Sequence, residues 1–174
     1  ILSSSVSVVL FPYISRIQED RQRNEVTATV SRIVLSASVL AAALLFVISG
    51  LIIRVLFGVD YESATHLLRI LIPGVVLLAV SRVLSNHITG IGKPQINLYF
   101  SSITVVVNVT LNLILIPIMS AAGAALATTA TYSLDTILKL AYFKRRVGIG
   151  PLELLILRPA DIRMARNFVR NMLR

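Results

Sequence analysis

"GIGKPQINLYFSSITVVVNVTLNLILIPIMSAAGAALAT", residues 90 to 128, holds one charged side chain, Lys93, and two prolines, Pro94 and Pro117, yet asparagine, serine and threonine recur along it. The stretch parses as a hairpin of two membrane-spanning helices, with "IPIMSAAG" as the outer turn and Pro117 closing the first helix. The rest of the chain agrees with that medium. Of its 174 residues 56% are hydrophobic and 14% charged, with a mean hydropathy of +0.83, too little polar surface to cover a water-soluble globule of this size. Ile33 to Ile53 carries no charge at all, and as a helix it is roughly 30 Å long, the thickness of a hydrocarbon core.

Working outward, apolar segments fall at about 1–15, 27–53, 63–87, 95–116 and 121–143, separated by helix-ending punctuation. The first is too short to span and reads as the tail of a truncated helix, so the chain is expected to be a piece of a longer protein. The expected fold class is therefore an all-α membrane protein. Four spanning helices and a partial N-terminal one occupy residues 1–147, followed by a cytoplasmic basic tail, 148–174. Within that tail Ile162, Ala165, Val169 and Met172 share one helical face and Arg163, Arg166, Arg170 and Arg174 the other. This is an amphipathic basic helix suited to an anionic inner leaflet. Beside spanning helices, the same charge run does not read as a nucleic-acid site.

Loop charge alternates. Arg16, Arg21 and Arg23 precede the first full span; Arg54, Asp60 and Glu62 follow it; Lys93 lies in the next loop, the turn at Met119 has none, and the tail is strongly basic. Basic loops are retained inside. The first loop, the Lys93 loop and the C-terminus are thus expected in the cytoplasm, with the protein multi-pass in the cytoplasmic membrane.

Motifs for catalysis fail. "GIGKP" lacks the spacing and the Ser or Thr of a phosphate-binding loop, and Pro94 stands where the hydroxyl should be. The sequon "NVT" at Asn108 lies at mid-membrane depth. His66 and His87 stand apart with no carboxylate pair, and cysteine is absent, so no metal site, disulfide or cofactor motif is found. The chain does not read as an enzyme.

Polar groups inside spans are costly and so informative. Asn97, Ser101, Thr104, Asn108 and Asn112 fall on one helical face. They form either an interhelical hydrogen-bond seam or a wall of an aqueous cavity, and the sequence leaves both open. Ala121, Ala125 and Thr128 give the next helix a close-packing face. Arg69 and Arg82 lie about 220° apart around one helix, each either snorkelling or facing a cavity as an anion ligand. Arg32, one turn into its helix, is expected to snorkel. Asp135 and Lys139, at i and i+4, make either a neutralising ion pair or a proton-coupling site.

The motifs "LFPYIS" (10–15), "LFGVDYESA" (56–64), "GIGKP" (90–94), "NVTLNLILIP" (108–117) and "GAALAT" (123–128), in this order, resemble the second half of oligosaccharide flippases. These are polysaccharide-biosynthesis membrane proteins of the superfamily that includes multidrug and toxin extruders and lipid II flippases. The resemblance covers roughly residues 8 to 145. It departs at "MSAA", 119–122, where a Gly or Tyr-Gly is usual. It implies the C-terminal lobe of a two-lobed, alternating-access transporter, each lobe of six helices, with the N-terminal lobe lying elsewhere in the same protein. The implied activity is translocation of an undecaprenyl-pyrophosphate-linked oligosaccharide for cell-surface polysaccharide. On that reading Arg69 and Arg82 are candidate ligands of the pyrophosphate, and Asn108 and Asn112 candidate sugar-facing amides. A cation-coupled multidrug extruder and a non-transporting membrane scaffold are the alternatives.

The charge alternation predicts sidedness. In the full-length protein a cysteine introduced as Met119→Cys should react with an impermeant thiol reagent added outside the cell, and one introduced as Gly148→Cys should not; the opposite pattern would invert the topology.

Overall fold

A computed structural model describes residues 19–148 and 150–156. The expected partial helix at 1–15 and the amphipathic segment 162–174 lie outside the described residues. Among those described, three helical runs are long and apolar enough to cross a membrane, and no strand occurs. The fold is that of an all-α membrane protein.

The first helix, α1, runs Asp20–Phe57 and the second, α2, Ala64–Gly90. Helix α1 starts a full two turns before the expected 27. The polar residues taken for a loop favour helix: Arg21 pairs with Glu25 and Arg23 with Asp20 at i+4 and i+3 spacing, and Asp20 sits in the first turn, where the helix dipole favours an acid. This changes the fate of Arg32. It lies three turns in rather than one, is 5% exposed, and donates to the Glu153 carbonyl and to Thr29 Oγ1; it does not snorkel.

The third run, Pro94–Tyr142, is helical throughout except at Ser120, whose φ of 51° and ψ of −130° reverse the chain. Its two arms are α3 (94–119) and α4 (121–142). Asn108 Nδ2 donates to Thr131 Oγ1 at 3.1 Å, although a straight helix would hold them roughly 35 Å apart. The arms are therefore antiparallel. Pro117 does not close α3, as its sequence position suggested; it lies inside the last turn, where the missing N–H costs only one bond near a helix end. The turn reduces to one residue because the arms meet at once: a Cβ on Gly123 would lie 2.3 Å from the Leu115 carbonyl oxygen.

After α4 comes one wider π-helical turn, Phe143–Val147, then the short helix α5, Pro151–Leu155. Leu154 and Phe143, both fully buried, close a core with Ala28 of α1 and Val80, Leu84 and Ile88 of α2. Helices α2 and α4 run in the same direction: Thr129 Oγ1 donates to the Ile70 carbonyl and Thr136 Oγ1 to that of Leu77, a constant offset of 59 residues. Gly74 lets them touch, since a Cβ there would stand 2.8 Å from Thr129 Cα. The core lies at the end of the bundle that carries Asp20, Gly90, Pro94 and Tyr142. Toward the other end α1 exposes Val39, Leu40, Leu44 and Val47, surface suited to lipid.

Replacing Gly123 by Val should split the hairpin and lower the melting temperature of the detergent-solubilised full-length protein. Ser120→Gly should instead stabilise it by about 1 kcal/mol, the backbone strain relieved less the extra freedom of glycine in the unfolded chain. Equal melting of both variants and the parent would contradict the reversal at Ser120.

Candidate functional site

Because α2 and α4 lie side by side in parallel, residues one helical turn apart on α4 can address a single residue of α2. Asp135 and Lys139 do so with Ser81. Lys139 Nζ lies 2.6 Å from Asp135 Oδ2 and donates to Ser81 Oγ at 2.7 Å, while the Ser81 hydroxyl donates to the same carboxylate. The side chains of Lys139 and Asp135 are 6% and 12% exposed, and Ser81 is fully buried. Both charges are thus matched and hydrogen-bonded inside the bundle, the one arrangement in which burying them is tolerable.

The asparagines of α3 meet different neighbours along its length. Near the first turn Asn97 Nδ2 donates to the Ser85 carbonyl and to Thr89 Oγ1 of α2. Half-way along, Asn108 Nδ2 reaches Thr131 of α4, and Asn112 Nδ2 donates to both the backbone and side-chain oxygens of Asn108. Thr131 serves as a junction, since its hydroxyl accepts from Asn108 and donates to the Ala127 carbonyl. Asn108 and Asn112 are half-buried, Thr104 is buried and Ser101 exposed. The stripe is therefore engaged with other helices at Asn97 and Asn108. Hydroxyls on exposed positions, Ser102 and Thr110, bond to carbonyls of their own helix four residues back, which accounts for polar residues on faces turned outward.

The two arginines of α2 differ. Arg69 Nε donates to Ser49 Oγ of α1 at 3.0 Å, and its guanidinium stands 5.0 Å from the centre of the Phe46 ring, a cation–π distance. Arg82 is exposed and makes no hydrogen bond or ion pair with the described residues. The two are thirteen residues apart, roughly 20 Å along the axis, so the structure does not bring them together; nor does either meet Asn108 or Asn112. Ser81, Thr131 and Ser49, which hold the charged and amide groups, carry no distinguishing signal in the sequence. Only the hairpin and the parallel register of α2 and α4 reveal them.

If Asp135 and Lys139 are a structural pair, Asp135→Leu alone should destabilise the protein by roughly 3–5 kcal/mol, because it strands a buried ammonium. The double change Asp135→Leu with Lys139→Met should restore both the melting temperature and the membrane abundance of the full-length protein. Abundance that stays as low as in the single variant would contradict a structural pair.

Comparison with known proteins adds to this geometry. The chain is 26% identical over 152 residues to the probable low-salt glycan biosynthesis flippase Agl15 of Haloferax volcanii, which covers 86% of this chain and 32% of that protein. It is 28% identical over 144 residues to the uncharacterized membrane protein MJ1068 of Methanocaldococcus jannaschii, covering 81% of this chain and 28% of the relative. The chain thus spans about a third of the length of these curated relatives. No solved structure matches it significantly. The model of the lipid II flippase MurJ family matches residues 1–165, nearly the whole sequence, and the chain belongs to that family.

Proposed function

We propose that this chain is part of a transporter that moves a lipid-linked oligosaccharide across the cytoplasmic membrane, its carrier an undecaprenyl pyrophosphate and its product destined for cell-surface polysaccharide. The observation that carries the reading is the family match over residues 1–165; the likeness to a flippase of glycan biosynthesis supports it. In this reading the four long helices form most of the C-terminal lobe of a two-lobed exporter, working against an N-terminal lobe elsewhere in the same protein. The basic end of the bundle, with Arg21, Lys93, Lys144, Arg145 and Arg146, faces the cytoplasm.

Among the charged side chains within the spans, Arg82 is the one we assign to the pyrophosphate. Lys139 is neutralised by Asp135, and Arg69, its Nε held by Ser49, stands near the far end of α2, roughly 20 Å along the axis from Arg82, whereas Arg82 keeps all its N–H donors for a ligand. Phosphate recognition by a guanidinium is bidentate and charge-assisted. Asn108 and Asn112 complete the proposal as the polar edge that meets sugar hydroxyls. A cation-coupled extruder would need an acid open to its cavity, and Asp135 is held by both Lys139 and Ser81.

In the full-length protein, Arg82→Gln should abolish glycan export while leaving the amount of protein in the membrane unchanged. Normal export by that variant would remove Arg82 from the site.

A further inference from the structure

Helix α1 touches α2 in two zones. Near the basic end Val34 packs with Ala79 and Val83; near the opposite end Ser49 meets Arg69, and Gly50 lies against Thr65. Between the zones the helices part and leave an open groove of about 490 Å³, walled by Val39, Ala42, Ala43 and Phe46 of α1 and Pro73 and Val76 of α2 among others, all of them apolar. Phe46 belongs at once to this wall and to the stack beneath Arg69. Beyond that wall, on the other side of its Phe46 contact, stands a cation whose Nε is held by Ser49 and whose terminal amino groups bind nothing among the described residues.

The depth of each part matters. Arg69 lies five residues into α2, roughly 8 Å from that helix end, close enough to the interface for a lipid phosphate to meet its long side chain. The groove continues from it toward the middle of the span. A cation at the interface and a carbon-lined channel running inward match the two ends of one lipid: phosphate on the guanidinium and an acyl chain against the apolar walls.

We propose that the α1–α2 groove with Arg69 binds an anionic phospholipid of the surrounding bilayer, entering from the leaflet on the Asp60 side. This site is distinct from the one assigned to Arg82 and does not depend on the transport reading. The lipid fills space that would otherwise leave the two helices unpacked, and holds α1 to α2 through its headgroup.

Native mass spectrometry of the full-length protein, exchanged into detergent containing phosphatidylglycerol, tests the site. The parent should retain a bound phosphatidylglycerol in preference to phosphatidylcholine. Arg69→Gln should reduce retention roughly tenfold, the size expected on losing one charge-assisted hydrogen-bond donor. Ala43→Phe, which fills the groove from an exposed position, should reduce it as much, and Arg54→Gln, a cation at the same end outside the groove, should not. Retention by Arg69→Gln or Ala43→Phe at the parent's level would overturn the proposal. So would an equal loss in Arg54→Gln, which would mark a diffuse charge effect, or displacement of the phospholipid by lipid-linked oligosaccharide, which would mark a substrate site. Should the Ala43→Phe protein fail to melt cooperatively, Ala43→Cys decides: protection from a bilayer-soluble maleimide would show the groove covered by another part of the protein and defeat the assignment.

Discussion

In hydrocarbon a polar group that finds no partner in the protein finds none at all, and this requirement organises the bundle. The backbone meets it by being helical almost throughout. Most side-chain hydroxyls meet it in two ways, while Ser31 Oγ, Thr65 Oγ1, Asn86 Nδ2 and Asn97 Oδ1 are buried without a partner among the described residues. Hydroxyls that face outward, such as Ser102 and Thr110, return to their own helix, whereas those at helix contacts, Thr129 and Thr136, cross from α4 to carbonyls of α2. Each such bond is worth only about 0.6 kcal/mol on average in a membrane protein. Their value lies in register: two carbonyls of α2 seven residues apart are taken by two hydroxyls of α4 seven residues apart, so α4 cannot slide without stranding both.

That register in turn makes the buried charges possible. Ser81 meets Asp135 and Lys139 only because α4 returns parallel to α2, and α4 returns only because the chain reverses at Ser120 and Gly123 admits the Leu115 carbonyl. Small residues thus act as the hinge plates of the structure. The same logic explains why α1 is the loosest member. Its polar contacts lie toward the two ends, Thr27 to His87 and Ser49 to Arg69, whereas Val39 to Ile48 is apolar throughout, so nothing polar draws that stretch onto α2 and the groove opens there.

Much of this was legible in the sequence because hydropathy and proline report directly on the medium. The long uncharged segments, the hairpin around Met119 and the family of flippases could all be read before any coordinates. Helix ends were read less well. The polar residues before Val26 suggested a loop, since hydropathy cannot tell a solvated helix from a turn, and the misplacement carried Arg32 with it to the wrong environment. Pro117 suggests a stop because it lacks an N–H, but Gly123 lets the arms meet so closely that the chain reverses only at Ser120. The partners Ser81, Thr131 and Ser49 were out of reach altogether: which serine or threonine receives an amide or an ammonium depends on the relative direction of two helices, and a single sequence does not encode that visibly. Leu154 is a similar case. Lying beyond the spans in a segment read as tail, it is fully buried against α1 and α2.

The reversal at Ser120 is the point on which the hairpin, the α2–α4 register and the buried charge cluster all rest. Spin labels placed at Gln95 and Lys144 of the full-length protein in lipid nanodiscs measure it directly by electron–electron double resonance. Adjacent antiparallel arms predict a short distance, on the order of 20 Å with helices packed 8–10 Å apart and the reach of the labels added. A separation near 70 Å, that of an unbroken helix of this length, would contradict the account.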